Sequence, residues 1–318
     1  VLTVMIKFYC DLIKDKYSNS TSNNVPSIGS NVPGGNNSSS VTKTGAKEFT
    51  ADDTSTGEEY TSSNSDENAI LVKDGANVSI SDGTVDKSAG DSTNVENSEF
   101  YGVNADILVD SSSSATLKNM KITTSAKGAN GVFSTGTDSK IYISDSEIST
   151  TKDSSRGLDA TYGGYIEADN VKISTQGGSC ASLATDRGEG TVIAKNSNLS
   201  TAGKGSPVIY STGDITLEDS DGKATGSQMV VIEGKNTATV SNSTLECSAN
   251  GNRNDVDNCG IMIYQSMSGD AGEGTGTFNA TNSNLCIDSS SSLYKTAPFF
   301  FITNTDAIIN LENNKLSY

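Results

Sequence analysis

Asn170-Val-Lys-Ile173 and, 26 residues later, Asn196-Ser-Asn-Leu199 are two copies of one phrase: a turn-forming Asn or Asp, two variable residues, then an aliphatic. Earlier copies read Asp82-Gly-Thr-Val85, Asn119-Met-Lys-Ile122 and Asp145-Ser-Glu-Ile148. Later ones read Asn242-Ser-Thr-Leu245, Asn282-Ser-Asn-Leu285 and Asn313-Asn-Lys-Leu316, and a degenerate copy, Asp219-Ser-Asp-Gly222, carries Gly in the aliphatic place. The base interval is 23 to 26 residues, stretched to 37, 40 and 31 in three places. A fixed period of this size with occasional insertions predicts a stacked solenoid.

Two further runs recur between the phrases. One is a small residue followed by a short apolar stretch, as in Gly131-Val-Phe133, Gly157-Leu158 and Gly260-Ile-Met-Ile263. The other alternates apolar and polar residues, as in Lys140-Ile-Tyr-Ile143 and Asp214-Ile-Thr-Leu217. Both are three to five residues long, rich in β-branched side chains and bounded by Gly, Asn, Asp or Ser, which favours strands. No stretch after residue 60 holds a helical period over three turns. Three short strands per repeat predict an all-β chain, a right-handed parallel β-helix of about eight or nine coils. The aliphatics Ile122, Ile148, Ile173, Leu199, Leu245, Leu285 and Leu316 should stack in one column. Asn and Asp suit the corners because they tolerate left-handed backbone angles and satisfy turn amides.

Only 33% of the 318 residues are hydrophobic, low for a compact globule but sufficient for a narrow stacked core. The formal charge is −17; residues 1–64 hold 7 acids and 5 bases, contributing −2, so the repeats carry −15. Such an acidic surface argues against nucleic acid as a partner. No run of 18 apolar residues is present to cross a membrane.

Three domains are read: an N-terminal segment over 1–15 that is helical or a truncated start, a Ser/Asn-rich linker over 16–46, and the β-helix over 47–318. Insertions are expected over 86–101, 248–258, 266–276 and 286–298. Phe299, Phe300 and Phe301 are read as the cover of the column's end.

The absence of His and Trp removes His-based nucleophile systems and the commonest transition-metal ligand. Carboxylates, tyrosines and three arginines remain. The phrases Ser155-Arg-Gly-Leu-Asp159 and Asp186-Arg-Gly-Glu189 put scarce arginines beside carboxylates. Such a fork either binds a sugar acid or braces a loop as an ion pair. A ligand-binding surface is therefore placed near Arg156, Asp159, Tyr162, Asp186 and Arg187, with Tyr101, Tyr162, Tyr165, Tyr210 and Tyr264 as an exposed stacking row. Two facing carboxylates could hydrolyse a glycosidic bond, and a cluster of them could hold calcium, although no cofactor is required. Five cysteines form no CxxC pair; Cys247 and Cys259 bracket an insertion and are either a disulfide or two buried thiols.

Several stretches, among them Asn97-Ser-Glu-Phe-Tyr-Gly102, Ser155-Arg-Gly-Leu-Asp-Ala-Thr161, Ala184-Thr-Asp-Arg-Gly-Glu-Gly190 and Tyr210-Ser-Thr-Gly-Asp214, give the chain a family likeness. Over about residues 46–318 it resembles secreted, adhesin-like right-handed β-helix proteins of anaerobic gut bacteria, within the wider pectate-lyase-like superfold. That resemblance implies sugar-related work. The chain departs from the enzyme branches, which need a Gly-His-Gly segment or an Asp-His pattern. The expectation is an exported or cell-surface monomer that binds polysaccharide or cell-surface glycan without cutting it. The alternatives are a lyase or hydrolase of acidic glycan, and a structural stalk.

Overall fold

The computed structural model describes residues 2–3, 41–252 and 255–318. Each repeat contributes one strand to each of three sheets, named A, B and C here, and the chain visits them in the order B, A, C before starting the next coil. Sheets B and C each hold ten strands, all parallel. Sheet A holds eleven, the extra one being Leu2–Thr3, which pairs antiparallel with Leu311 and Asn310. The result is a right-handed parallel β-helix of ten coils.

The tenth coil is the first in the chain. Its A-to-C turn uses Gly57 at φ 73° where the others place Asn or Asp, so it carries no copy of the phrase. Its opening strand, Thr44–Phe49, starts inside the stretch read as linker. Apart from Leu2–Thr3, the 1–15 segment lies outside the described residues, as does the linker up to residue 40.

The A-to-C turn is two residues long in every coil. Its first residue is left-handed throughout, from Asp82 at φ 57° to Asn313 at φ 54°. Every turn but the last passes its backbone N–H to the next coil, as Asn119 N–H to Ser144 O at 3.0 Å and Asn170 N–H to Lys195 O at 3.0 Å. Side-chain amides add to this: Asn119 donates to Asp82 at 2.7 Å and Asn170 to Asp145 at 2.8 Å.

The second turn residue forms a buried serine ladder that the phrase, read as two variable positions, concealed. Ser197 Oγ accepts the Val171 N–H at 3.2 Å and donates to Lys195 O at 2.6 Å. Ser146, Ser220, Ser243 and Ser283 repeat both contacts. Buried turn amides are thereby satisfied from coil to coil.

Beyond the turn, the predicted aliphatic column is present and in register: Val85, Ile122, Ile148, Ile173, Leu199, Gly222, Leu245, Leu285 and Leu316. It faces a second inward column at the start of sheet B, and the two exchange volume. A Cβ on Gly131 would stand 2.5 Å from Ile148, and one on Gly157 2.5 Å from Ile173. In the coil where Gly222 interrupts the aliphatics, the opposing place holds Val208; a Cβ on Gly222 would meet the far end of Leu245 at 2.5 Å and Val208 at 2.8 Å. In these three coils large faces small, as close packing of a narrow core requires.

Strand alternation corrects one expectation and decides between two alternatives left open. Phe300 turns into the core with Phe299 packed beside it, but Phe301 points outward against Val231, Cys259 and Met262, so it caps nothing. Cys247 and Cys259 are both buried free thiols: Cys247 lies in the main core and Cys259 in the outward cluster. The loop between them is not closed by a disulfide.

Corner complementarity predicts a coupled pair. Gly222→Val alone should overpack the corner and cost about 1–3 kcal/mol. Val208→Gly alone should leave a void of comparable cost. The double variant should recover most of both losses in urea unfolding, whereas simple additivity would refute the exchange of volume.

Candidate functional site

All four insertions border sheet B. The connections before strands Ile107–Val109, Ile261–Tyr264 and Phe300–Thr303 run from sheet C into B, and the one between Ile261–Tyr264 and Gly276–Thr281 runs from B into A. The first contains a two-turn helix, Val95–Tyr101. Asn94 caps its start by accepting the Glu96 N–H, and Gly102 ends it at φ 69°. Apolar Leu71, Ala105, Leu108 and Phe133 line the outer face of sheet B in the early coils, and Phe100 of the helix is buried there too.

Next along the same face come the residues expected at the site, and the fold does gather them. The register sets Asp159 opposite Ala184, and Asp186 follows on that next coil. Arg156 is 6% exposed, its guanidinium 2.9 Å from Asp186, 3.2 Å from Asp159 and 3.7 Å from Glu99 of the helix. Arg187 stays partly open; it bonds Asp270 of the 266–276 insertion and lies 4.0 Å over the Phe100 ring. Tyr162 stacks on Tyr101 with ring centroids 5.4 Å apart.

The expected surface is therefore corrected in part. Arg156, Asp159 and Asp186 are buried and engaged with one another, while Tyr162 and Arg187 reach the rim. The two arginines also brace insertions: Arg156 reaches the helix, and Arg187 joins the helix to the 266–276 loop.

Electrostatics follow from that burial. Three carboxylates share one buried guanidinium, an excess of negative charge in a low-dielectric setting. Burial pushes the Asp186 carboxyl up to about 6 against the pull of Arg156. Burial likewise raises Asp159 well above the usual carboxylate range. The surplus acts to retain a proton in the cluster.

Sequence reading named Tyr210 and Tyr264 but did not bring them together with Glu233. Glu233, 1% exposed, accepts from Tyr210 and Tyr264, each at 2.8 Å. Burial raises Tyr210 far above the ordinary phenol value. Half-buried Tyr210, Tyr264 and Phe301 continue the outward face with Val231 and Met262. The five tyrosines thus do not make one row: four lie on the sheet B side, and Tyr165 is on sheet A. Elsewhere, Lys87 is fully buried, donating to Asn64 O at 2.8 Å, with burial lowering its pKa.

Among the described residues no group of three or more Cys, Asp or Glu side chains is placed to hold a metal ion, and no helix is long and apolar enough to cross a membrane. No protein-family model, curated protein or solved structure matches the chain.

Two predictions follow from the buried cluster. Arg156→Ala should destabilise the fold by about 3–5 kcal/mol, because it strands buried carboxylates. The second concerns pH. Asp186 binds its proton more tightly folded than unfolded, so its contribution to stability is full below about 4 and is lost as pH rises through about 6. Asp186→Asn should remove that component, and denaturant midpoints at pH 4.5 and 7.5 would differ less than in the wild type. Parallel pH profiles for the two proteins would refute it.

Proposed function

We propose that this protein is a non-catalytic binder of polysaccharide or cell-surface glycan, exported and displayed at or beyond the cell surface, with the outer face of sheet B as its contact face. The placement of the insertions carries the reading. Loops decorate a rigid scaffold where contacts are made, and here every long connection rises beside sheet B while the A-to-C corner never varies in length.

The side chains between those insertions suit sugars. Tyr101, Tyr162, Tyr210, Tyr264 and Phe301 are half-buried, leaving ring surface for stacking, and Arg187 supplies a partly open cation at the rim. Binding is favoured over cutting by the state of the carboxylates. A general acid must reach the glycosidic oxygen, but Asp159 and Asp186 sit beneath the face, held by Arg156. Many modest contacts along an extended face are the expected mode.

A glycan array read with the wild type and with Tyr162→Ala/Arg187→Ala tests the proposal. Removing the rim contacts should weaken binding about tenfold or more, roughly 1.4 kcal/mol, with an unchanged circular dichroism spectrum. Full retention of binding by the double variant, or turnover of a bound glycan, would overturn it.

A further inference from the structure

The outward face of sheet A is mostly small and polar: Ser79, Thr116, Thr216, Thr239 and Asn279 share one row with Glu167 and Ile193. Tyr142 breaks that row. It is 42% exposed, one of the few large side chains left so open. Its ring lies 6.1 Å from that of Tyr165, tilted by 56°. Tyr165 is fixed in turn, donating to Glu167 Oε2 at 3.0 Å.

The charges around this pair are ordered. Tyr142 stands directly opposite Thr116 on one side and Glu167 on the other. Lys140 precedes it by two residues on the same strand, hence on the same face. Lys118 is diagonal to it across the neighbouring strand, roughly 7–8 Å away on the same face. Both lysines are exposed, and neither has an ion-pair partner among the described residues. On the opposite flank Glu167 is 3.7 Å from Lys195, and Asp169 accepts from Asn196 at 2.7 Å. The patch therefore has a ring platform with a cation at each end along the strand direction, Lys140 before it and Lys118 beyond it on the neighbouring strand, and carboxylates able to accept hydroxyl donors on the next strand. Cations and anions are locally balanced, Lys118, Lys140 and Lys195 against Glu167, Asp169 and Asp82, in a chain whose net charge is −17.

We propose that the Tyr142 patch of sheet A is a second glycan site, separate from sheet B, that takes a sugar carrying a carboxylate. One sugar's apolar face lies on the Tyr142 ring, carboxylates along the glycan reach Lys140 at one end and Lys118 at the other, and hydroxyls donate toward Glu167 and Asp169. An exposed aromatic gives area without ordering a long side chain, and the lysines select charge. A neutral glucan has the stacking face and lacks the partner for the cations. The proposal does not depend on sheet B binding anything.

The test uses the full chain carrying Tyr162→Ala/Arg187→Ala, so that the outcome is independent of the sheet B reading. Native gels cast with alginate, a polyuronate, or with a neutral mixed-linkage β-glucan report affinity as retardation. Alginate should retard this background protein and the neutral glucan should do so much less. Adding Tyr142→Ala should weaken the alginate effect about tenfold, whereas Tyr142→Phe should keep most of it. Adding Lys118→Gln with Lys140→Gln should weaken it several-fold and flatten its dependence on salt, since exposed charges are screened beyond about 8 Å at physiological ionic strength. Circular dichroism melts should be unchanged by these exposed substitutions. No retardation by alginate, or retardation indifferent to Tyr142→Ala, overturns the site. Equal retardation by the neutral glucan, unaffected by the lysine pair, overturns the choice of an acidic sugar.

Discussion

Everything in this β-helix hangs on the two-residue corner between sheets A and C. Ten times the chain turns there through a left-handed residue, and every turn but the last hands its amide to the next coil. A corner of fixed length holds the register of both adjoining sheets, and register decides which side chains face inward. One residue added at this corner would invert the alternation of the following strand. The same residue added at the borders of sheet B is absorbed in a loop. This difference explains why elaboration is confined to one face of the solenoid and why the phrase survives along the chain.

The corner is also why the sequence was readable. Asn and Asp at the left-handed position, followed two places later by an inward aliphatic, are local signals with a fixed offset. Gly57 supplies the same backbone conformation without the same letter, so the first coil was hidden and the count came out at about eight or nine instead of ten. The serine ladder was hidden differently. Serine is abundant throughout the chain, and only the stacking shows that Ser146, Ser197, Ser220, Ser243 and Ser283 take the same two bonds. Cys247 and Cys259 looked pairable by their separation, yet alternation puts one inside the core and the other on the outer face of sheet B.

The candidate site was legible in its members and not in its depth. Arg156 and Arg187 stand a little more than one period apart, so stacking brings their coils together. The bonds they make depend on partners that no local pattern announces. Glu99 arrives on a helix from the first insertion, and Asp270 from a loop 83 residues beyond Arg187. A guanidinium near several carboxylates looks alike in sequence whether it awaits a ligand or is already satisfied. Tyr210, Glu233 and Tyr264 come from three successive coils, a grouping that exists only through the register.

Burying an arginine with three carboxylates is a poor way to stabilise a fold in general, since desolvation offsets much of the attraction. Its value here lies in geometry. The coils of a parallel β-helix bind only their neighbours, so an insertion rooted at one coil has nothing to hold it over others. Arg156 and Arg187 supply that hold: one ties the helix of the first insertion to strands three coils further on, and the other links helix and late loop through a single side chain. With its insertions fixed, the sheet B face presents aromatic rings at set positions. A rigid array of weak contacts loses less entropy on binding an extended polymer than mobile loops would. The buried ion cluster and the open tyrosines are thus parts of one arrangement: the charges brace the walls between which the rings stand.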